Sequence, residues 1–285
     1  MFKTKTRSST VRSPMLPDAI IAKQIIKWTE GPFSTYSPTY VITNEYLRRA
    51  LKFIPAKTEN ALVVASSGDH PIFTTLRGAK NVDTFDISYN AKIIMDIKTA
   101  AIHTITYEEY EQLLHDIHLG EELTSIKNMP EIISQLPPIE QNYILDMLGT
   151  QFWRTLYPDD QVPTFLSHNE FYRIRKIMPK SFNFIWSDIQ ELSTRLTKIY
   201  DFMHLSNIFD YMGQSDSINA LKSLLKYTRP GSTVCIACLY PEHHSQEYFN
   251  DIFETIAVSN EKCEWNILAE TRKDSVLYVM QRGQR

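Results

Sequence analysis

The sequence predicts an α/β protein with a mostly parallel β-sheet that is covered by helices on both faces. Short, continuous apolar runs that end at turn residues are typical of strands buried on both faces. Helical patterns separate these runs, and such alternation along a chain predicts a doubly wound sheet. The chain has 285 residues, of which 43% are hydrophobic and 22% charged. This length is sufficient for one large domain or two small ones.

Five apolar runs are predicted to form the parallel strands: 61–66, 81–86, 182–187, 199–205 and 233–239. Helical patterns over 71–78 and 216–227 separate the first two strands and the last two. The segments 264–268 and 275–280 flank the turn-forming residues 271–274, which predicts a C-terminal antiparallel hairpin.

The domain organisation follows from these elements. Residues 1–56 are predicted to form an N-terminal arm with helices over 18–29 and 43–53, and residues 57–285 the sheet domain. Between the second and third strands, about residues 90–180 form a helical insert. The insert is expected to lie as a cap at the carboxyl ends of the strands, where open sheets bind ligands. Its helices are predicted over 91–104, 107–118, 139–156 and 168–177.

Composition excludes several classes of function. The 30 basic and 33 acidic residues give a net charge of −3, so we expect no nucleic-acid partner. No apolar run has the roughly 18–20 residues of a membrane span, and the N-terminus has no apolar signal core. A cytoplasmic protein with at most peripheral membrane contact is therefore expected.

Cysteine and histidine patterns do not predict a metal site. Cys235 and Cys238 lie within the apolar run 233–239 and are interpreted as buried core rather than as a redox or zinc pair. His243 and His244 are adjacent and have no matching Cys/His cluster nearby. His204 has apolar neighbours and is interpreted as a core histidine. We therefore predict no metal ligand.

The first apolar run ends in a turn of small residues, Ser66, Ser67, Gly68 and Asp69. Small residues allow the backbone to pass close to a ligand, and glycine adopts conformations that other residues resist. Asp86 ends the next predicted strand, at a spacing that suits a carboxylate bound to a ribose diol. The alternative is a structural turn followed by a surface acid.

The turn lacks the further glycines of a dinucleotide fingerprint, because His70 and Phe73 stand at their positions. A pyrophosphate needs close backbone approach at the helix N-terminus. A ligand with a ribose but no pyrophosphate is therefore favoured over NAD.

Polar residues also follow the later predicted strands, Asp188 before Ile189 in one case and Ser206 before Asn207 in another. An acid followed by an apolar residue can accept a hydrogen bond from an exocyclic amine while the apolar side chain packs on adenine. Taken singly, each of these segments is more often a polar loop than a site. Five parallel strands closed by an antiparallel pair are, however, the layout associated with S-adenosylmethionine (SAM) enzymes.

Four segments carry a more specific resemblance: Ala-Ser-Ser-Gly-Asp-His at 65–70, Val-Asp-Thr-Phe-Asp-Ile-Ser at 82–88, Ile-Lys-Thr-Ala-Ala-Ile at 97–102 and Tyr-Glu-Glu-Tyr at 107–110. In these segments the chain resembles the BtaA-like SAM:diacylglycerol 3-amino-3-carboxypropyltransferases. The resemblance covers about residues 40–115, and more loosely the strand pattern of 182–240. At 86–90 the chain has Asp-Ile-Ser-Tyr-Asn where that family usually has Asp-x-Asn-Pro-x-Gln.

The resemblance implies a Rossmann-like SAM-dependent methyltransferase fold and SAM as co-substrate. It also implies transfer of a 3-amino-3-carboxypropyl group to a small-molecule or lipid acceptor, with release of methylthioadenosine. The implied SAM-binding residues are Ser66, Ser67, Gly68 and Asp69 around the methionyl part, Asp86, Ile87 and Ser88 at the ribose, Asp188 and Ile189 at the adenine, and Ser206 and Asn207 at the reacting centre.

The candidates for a base that deprotonates a nucleophilic acceptor are Asp210, Tyr211 and Tyr36, the last in the aromatic loop 31–38. Two alternatives stay open at this stage: a methyltransferase on the same scaffold, and a noncatalytic SAM-binding protein. The oligomeric state also stays open.

Overall fold

The computed structural model describes residues 39–43, 45, 47–118, 126–146, 153–154, 166–239, 246–259, 265–272 and 275–283. The helices are α1 (Leu47–Leu51), α2 (Asp69–Leu76), α3 (Tyr89–Thr104), α4 (Tyr107–His118), α5 (Met129–Ser134), α6 (Pro138–Asp146), α7 (His168–Ile177), α8 (Ile189–Leu192), α9 (Gln214–Leu225) and α10 (Gln246–Ser259). The strands are β1 (Thr39–Tyr40), β2 (Asn60–Val64), β3 (Asn81–Asp86), β4 (Trp153–Arg154), β5 (Asn183–Trp186), β6 (Tyr200–His204), β7 (Thr228–Cys238), β8 (Trp265–Arg272) and β9 (Ser275–Arg282). The predicted helix over 18–29, Tyr36, His243, His244 and Cys263 lie outside the described residues.

Seven strands form one sheet in the order β5-β3-β2-β6-β7-β9-β8. The first five strands are parallel, and β9 pairs antiparallel with both β7 and β8. This is the strand order of the Rossmann-like SAM-dependent methyltransferase fold, so the predicted fold class is confirmed. The order reverses between β2 and β6, and the crevice beyond the carboxyl ends at such a reversal is where open α/β sheets bind ligands.

Strand β2 shows why the apolar runs are continuous. Alternate residues of a strand point to opposite faces of the sheet. Ala61 and Val63 enter the hydrophobic core on one face, and Leu62 and Val64 enter the core on the other. Because both faces of β2 are buried, every position of the strand favours an apolar side chain.

The helices divide between the two faces. Helices α1 to α7 contribute to the core that contains Ala61 and Val63, whereas α8, α9 and α10 contribute to the core that contains Leu62 and Val64. The insert helices extend the first layer: α5 packs on α3, and α7 packs on α2, α3 and α4. The insert thus builds a thick helical layer on one side of the sheet.

Several element boundaries differ from those predicted. The helix predicted over 139–156 ends at Asp146, and Trp153–Arg154 forms a short parallel ladder with Thr39–Tyr40. The prediction was wrong there because an apolar aromatic run fits a strand as well as a helix. The helix predicted over 43–53 is confined to Leu47–Leu51. Helix α5, which has a proline in its first turn, was not predicted.

The two described cysteines are core residues, as the sequence predicted. Cys235 and Cys238 are both buried on β7, and they enter the cores on opposite faces of the sheet. Their separation of three positions on a strand directs the two thiols apart. Burial raises the pKa of the Cys235 thiol far above its usual value. In the described part of the chain, no helix combines the length and apolar character that a membrane crossing requires.

Candidate functional site

The turn between β2 and α2 is tightly folded. Ser66 has a φ of 45° and Gly68 a φ of 82°, both in the left-handed region. A Cβ atom on Gly68 would lie 2.8 Å from the Cα atom of Met95 in α3, which no ordinary contact allows. Glycine is therefore required here both by its backbone conformation and by the closeness of α3.

Asp86 joins the turns that follow two neighbouring strands. Its Oδ2 accepts a hydrogen bond from the Ser66 amide, and its Oδ1 accepts one from the Ser88 amide, each at 2.9 Å. Burial raises the pKa of Asp86 to about 6, although these amide bonds oppose the shift. Each carboxylate oxygen has a second lone pair. The carboxyl group is thus oriented by the backbone and can still accept hydrogen bonds from a diol.

An apolar surface lies next to this carboxylate. Ile87 is 37% exposed, although it is a large hydrophobic residue at the edge of the core. The Trp186 indole at the end of β5 donates to the Ile87 carbonyl at 3.0 Å and so fixes the loop. Ser88 is buried and precedes the first residue of α3. An acid followed by an exposed aliphatic side chain presents one polar and one apolar group to the crevice.

Both carboxylate oxygens of Asp69 accept hydrogen bonds in a buried network. Its Oδ1 accepts from the Lys98 ammonium at 2.7 Å, and its Oδ2 accepts from the Ser67 hydroxyl at 2.7 Å and the Thr43 amide at 2.9 Å. Lys98 is completely buried, and burial lowers its pKa although Asp69 opposes the shift. Burial, together with the Asp69 charge, raises the pKa of Tyr110. Two of the segments that carry the family resemblance, 65–70 and 97–102, therefore meet at this one carboxylate.

At the end of β5, Asp188 acts as a helix cap. Its Oδ1 accepts from the amides of Gln190 and Glu191, at 2.6 and 3.2 Å, and so satisfies the N-terminus of α8. Ile189 is buried in the core beneath the loop.

The loop after β6 carries the residues predicted to lie at the reacting centre. Ser206 has a φ of 57°, and its hydroxyl contacts both the Glu45 carboxylate and the Asn207 side chain. The Asn207 amide group donates to the Tyr211 hydroxyl at 3.4 Å. Tyr211 is 43% exposed. The amide and the phenol thus form a polar pair at the surface of the crevice.

Asp210 is held differently from its neighbours. It is buried, and its Oδ2 accepts a hydrogen bond at 2.8 Å from the amide of Leu239, directly after β7. This contact fixes the loop after β6 to the loop after β7. One carboxylate oxygen of the candidate base Asp210 therefore holds these two loops together.

Three residues that the sequence analysis did not assign to the site form a buried cluster: Glu45, His70 and His204. Nε2 of His70 lies 3.3 Å from Oε1 of Glu45, and Nε2 of His204 lies 3.6 Å from Oε2. Burial lowers the pKa of His204 to about 4, although the Glu45 charge opposes this. Burial also opposes ionisation of Glu45, but the two histidines outweigh it and lower its pKa to about 2. His204 is buried, as predicted, and it is the last residue of β6.

The structure thus brings Ser66, Gly68, Asp86, Ile87, Ser88 and the loops at 188–189 and 206–211 to the carboxyl edge of one sheet. Asp69, Asp188 and Asp210 are at this edge too, but each supports the fold through hydrogen bonds of its own. Glu45 had no motif that could have identified it. His70 and Lys98 lie inside segments of the family resemblance, and that was their only signal.

Comparisons with known proteins add little at the level of sequence. No protein-family model matches the chain, and neither does any curated protein. Among solved structures, it is similar to N-methyltransferase NodS from Bradyrhizobium japonicum, with a TM-score of 0.42, 10% identity, and coverage of 83% of this chain and 92% of that one. It is also similar to an rRNA methylase from Streptococcus thermophilus, with a TM-score of 0.41, 10% identity, and coverage of 85% and 99%.

A third similar structure is a ribosomal protein L11 methylase from Lactobacillus delbrueckii, with a TM-score of 0.42, 9% identity, and coverage of 83% of this chain and 76% of that one. Similarity at this level does not define a substrate. The class of fold rests on the strand order of the chain itself.

Proposed function

We propose that this protein binds SAM at the carboxyl edge of its sheet and transfers a group from it to a nucleophilic acceptor. The observation that supports this most is the Asp86 carboxylate, which the Ser66 and Ser88 amides orient beside the exposed Ile87. It lies at the end of the strand next to β2, where the sheet order reverses. Adenosine is recognised by a carboxylate that accepts hydrogen bonds from the ribose hydroxyls and by an adjacent aliphatic side chain that packs on the adenine ring.

In this proposal each predicted residue has a position around SAM. Asp86 accepts from the ribose hydroxyls, with Ile87 against the adenine and Ser88 orienting the carboxylate. The backbone of Ser66, Ser67 and Gly68 lies along the methionyl part, and Asp69 fixes the turn from below. Asp188 accepts from the adenine amine, and Ile189 supports its loop. Ser206 and Asn207 face the sulfonium.

We further propose that the transferred group is 3-amino-3-carboxypropyl. The acceptor nucleophile forms a bond to the first methylene of the methionyl arm, the carbon–sulfur bond breaks, and neutral methylthioadenosine leaves. The nucleophile releases its proton to a base. Attack on the methyl group instead would release S-adenosylhomocysteine, and the angle between nucleophile and sulfur decides between the two. The preference for the larger group comes from the family resemblance.

Tyr211 is the candidate base that the loop after β6 exposes, with its hydroxyl beside the Asn207 amide group. Asp210 gives one of its oxygens to the Leu239 amide, which favours a role in positioning the loop. Tyr36 lies outside the described residues and stays a candidate from the sequence. The proposed acceptor is a small molecule or a lipid with a free hydroxyl or amine.

The nucleoside product distinguishes the two transfers. Purified protein is incubated with SAM and a metabolite and lipid extract, and the nucleosides are followed by mass spectrometry. We expect methylthioadenosine above the enzyme-free control, and its loss in Asp86→Asn. S-adenosylhomocysteine would instead identify a methyltransferase. If SAM does not bind by calorimetry, the proposed function is wrong.

The pH dependence of SAM binding tests the role of Asp86 directly. The carboxyl has a raised pKa of about 6, so it is ionised above that pH and gains a proton below it. A protonated carboxyl accepts less well from a diol, so we expect the Kd for SAM to rise as the pH falls from 7.5 through 6 to 5. The Asp86→Asn variant should bind roughly 10–100-fold more weakly, since it loses a charge-assisted hydrogen bond. This variant should also lack the change near pH 6.

The matched control is Asp216→Asn, which removes a carboxylate from the exposed surface of α9. It should bind SAM with the wild-type affinity and the wild-type pH profile. A wild-type pH profile in Asp86→Asn would contradict the assignment of the ribose site.

A further inference from the structure

Glu45, His70 and His204 offer two imidazoles and one carboxylate in one buried place. The three ligand atoms lie within 4.8 Å of one another, and each residue is at most 5% exposed. His70 lies in the first turn of α2, and His204 ends β6. The set is therefore held by elements on both sides of the point where the sheet order reverses.

Two of the distances in the cluster are close to those around a single metal ion. An ion with bonds of about 2.0–2.1 Å to nitrogen and oxygen and tetrahedral angles separates its ligand atoms by roughly 3.3 Å. Nε2 of His70 lies 3.3 Å from Oε1 of Glu45, Nε2 of His204 lies 3.6 Å from Oε2, and the three ligand atoms all lie within 4.8 Å of one another. The 3.3 Å contact between His70 and Glu45 is a long hydrogen bond, beyond the usual range of about 2.7–3.2 Å. One ion binds all three atoms once the two imidazole rings move closer together than this 4.8 Å limit.

An imidazole nitrogen of the cluster has no hydrogen-bond partner among the described residues. This nitrogen, Nε2 of His204, is buried. Buried polar atoms are nearly always satisfied, and a missing ion is one of the explanations for an exception. Glu45 and His204, together with Arg49 but not His70, also line a cavity of about 20 Å³, which is room for one water molecule or one ion.

The charges around the buried Glu45 carboxylate also favour a bound cation. Among the described residues, no lysine or arginine pairs with Glu45, whose partners there are the two imidazoles and the Ser206 hydroxyl. A buried carboxylate is costly unless it is paired with a cation or coordinates a metal. The Ser206 hydroxyl donates to the carboxylate and supplies the kind of second contact that orients metal ligands.

We propose that Glu45, His70 and His204 bind one divalent transition-metal ion of intermediate softness, Zn²⁺ or Fe²⁺. Two imidazoles and one carboxylate are a ligand set that both ions accept, with at least one position left for water or substrate. Nδ1 of His204 now accepts from the Ser206 amide at 3.3 Å. Coordination through Nε2 moves the ring proton to Nδ1, so this long contact opens when the ion binds.

Metal content tests this site without reference to transfer activity. Untagged protein is dialysed separately against Zn²⁺ and Fe²⁺, the latter without oxygen, then against buffer, and its metal is measured by plasma mass spectrometry. We expect about one ion per chain. Glu45→Gln and His204→Asn should each retain at least tenfold less, and Ser206→Ala should bind 10–100-fold more weakly. The control His115→Asn, at a side chain that is 43% exposed on α4, should retain the ion.

X-ray absorption of the wild-type protein keeps the test decisive if the variants do not fold. Scattering from two imidazoles and oxygen donors supports the site. Scattering dominated by sulfur would assign the metal to cysteines and overturn the proposal. Retention of less than about a tenth of an ion per chain by the wild type would also overturn it. SAM binding is measured in parallel, so failure of this site and failure of the proposed function are distinguishable.

Discussion

Replacing Lys98 by methionine is expected to lower the free energy of unfolding by about 3–5 kcal/mol. Lys98 is completely buried, and its ammonium lies 2.7 Å from Oδ1 of Asp69. Methionine fills a similar volume, so the loss comes from the Asp69 carboxylate, which is left buried without its cation. Because Asp69 also accepts from Ser67 and Thr43, the turn after β2 should loosen as well. Urea unfolding followed by circular dichroism measures the change.

The surface pair Lys80–Glu59 provides the control for this experiment. Its ammonium and carboxylate are also 2.7 Å apart, but their side chains are 72% and 49% exposed. Lys80→Met should leave the unfolding free energy nearly unchanged, because water screens an exposed ion pair. A double-mutant cycle with Asp69→Asn should show that Lys98→Met costs much less once the carboxylate is neutral. An effect of Lys98→Met no larger than that of Lys80→Met would show that the ion pair does not stabilise the fold.

Replacing Gly68 by alanine is expected to lower the unfolding free energy by about 2–5 kcal/mol and to weaken SAM binding. A residue with a Cβ atom at φ 82° costs about 1–2 kcal/mol. The overlap with the Met95 backbone at 2.8 Å forces α3 or the turn to move, which costs a further 1–3 kcal/mol or so. Thermal and urea unfolding measure the first effect, and calorimetry with SAM measures the second.

Two other glycines distinguish the cost of the positive φ from the cost of the overlap with α3. Gly78 has a φ of 102°, but no atom lies within 4 Å of the position of its Cβ, so Gly78→Ala should show the conformational cost alone. Gly213 has an ordinary φ of −69° and open space around it, so Gly213→Ala should be nearly neutral. If Gly68→Ala is no more destabilising than Gly78→Ala, the closeness of α3 has no energetic consequence.

The apolar runs of the sequence located the strands well. The predicted strand 81–86 coincides with β3, and the other four parallel strands were found within a few residues of their ends except at the start of β7. That strand begins at Thr228 rather than at residue 233, because the Arg-Pro-Gly segment carries no apolar signal. Helix α4 was predicted with its observed ends, since a strongly amphipathic pattern identifies a helix clearly. Local patterns were thus sufficient wherever burial imposes a regular period.

The candidate site was predictable in part, because polar residues that end parallel strands must meet at one edge of the sheet. This reasoning placed Ser66, Asp86 and Ser206 correctly at that edge. The sequence pattern did not show which groups each acid contacts. Asp86 accepts hydrogen bonds from the amides of Ser66 and Ser88, whereas Asp69 accepts one from Lys98 on α3. Those partners come from other segments, and no local period encodes them.

The α/β class, the strands and the turn after β2 could be predicted from local sequence, because they follow from burial on two faces and from short-range backbone preferences. The strand order, the partners of Asp69 and Asp210, and the contacts of Glu45 with His70 and His204 arise only from the packing of the folded chain. Glu45 comes from the segment before α1, and the two histidines come from opposite sides of the reversal in the sheet. Contacts between residues so far apart along the chain depend on how the layers pack, which the periodicity of one segment does not specify.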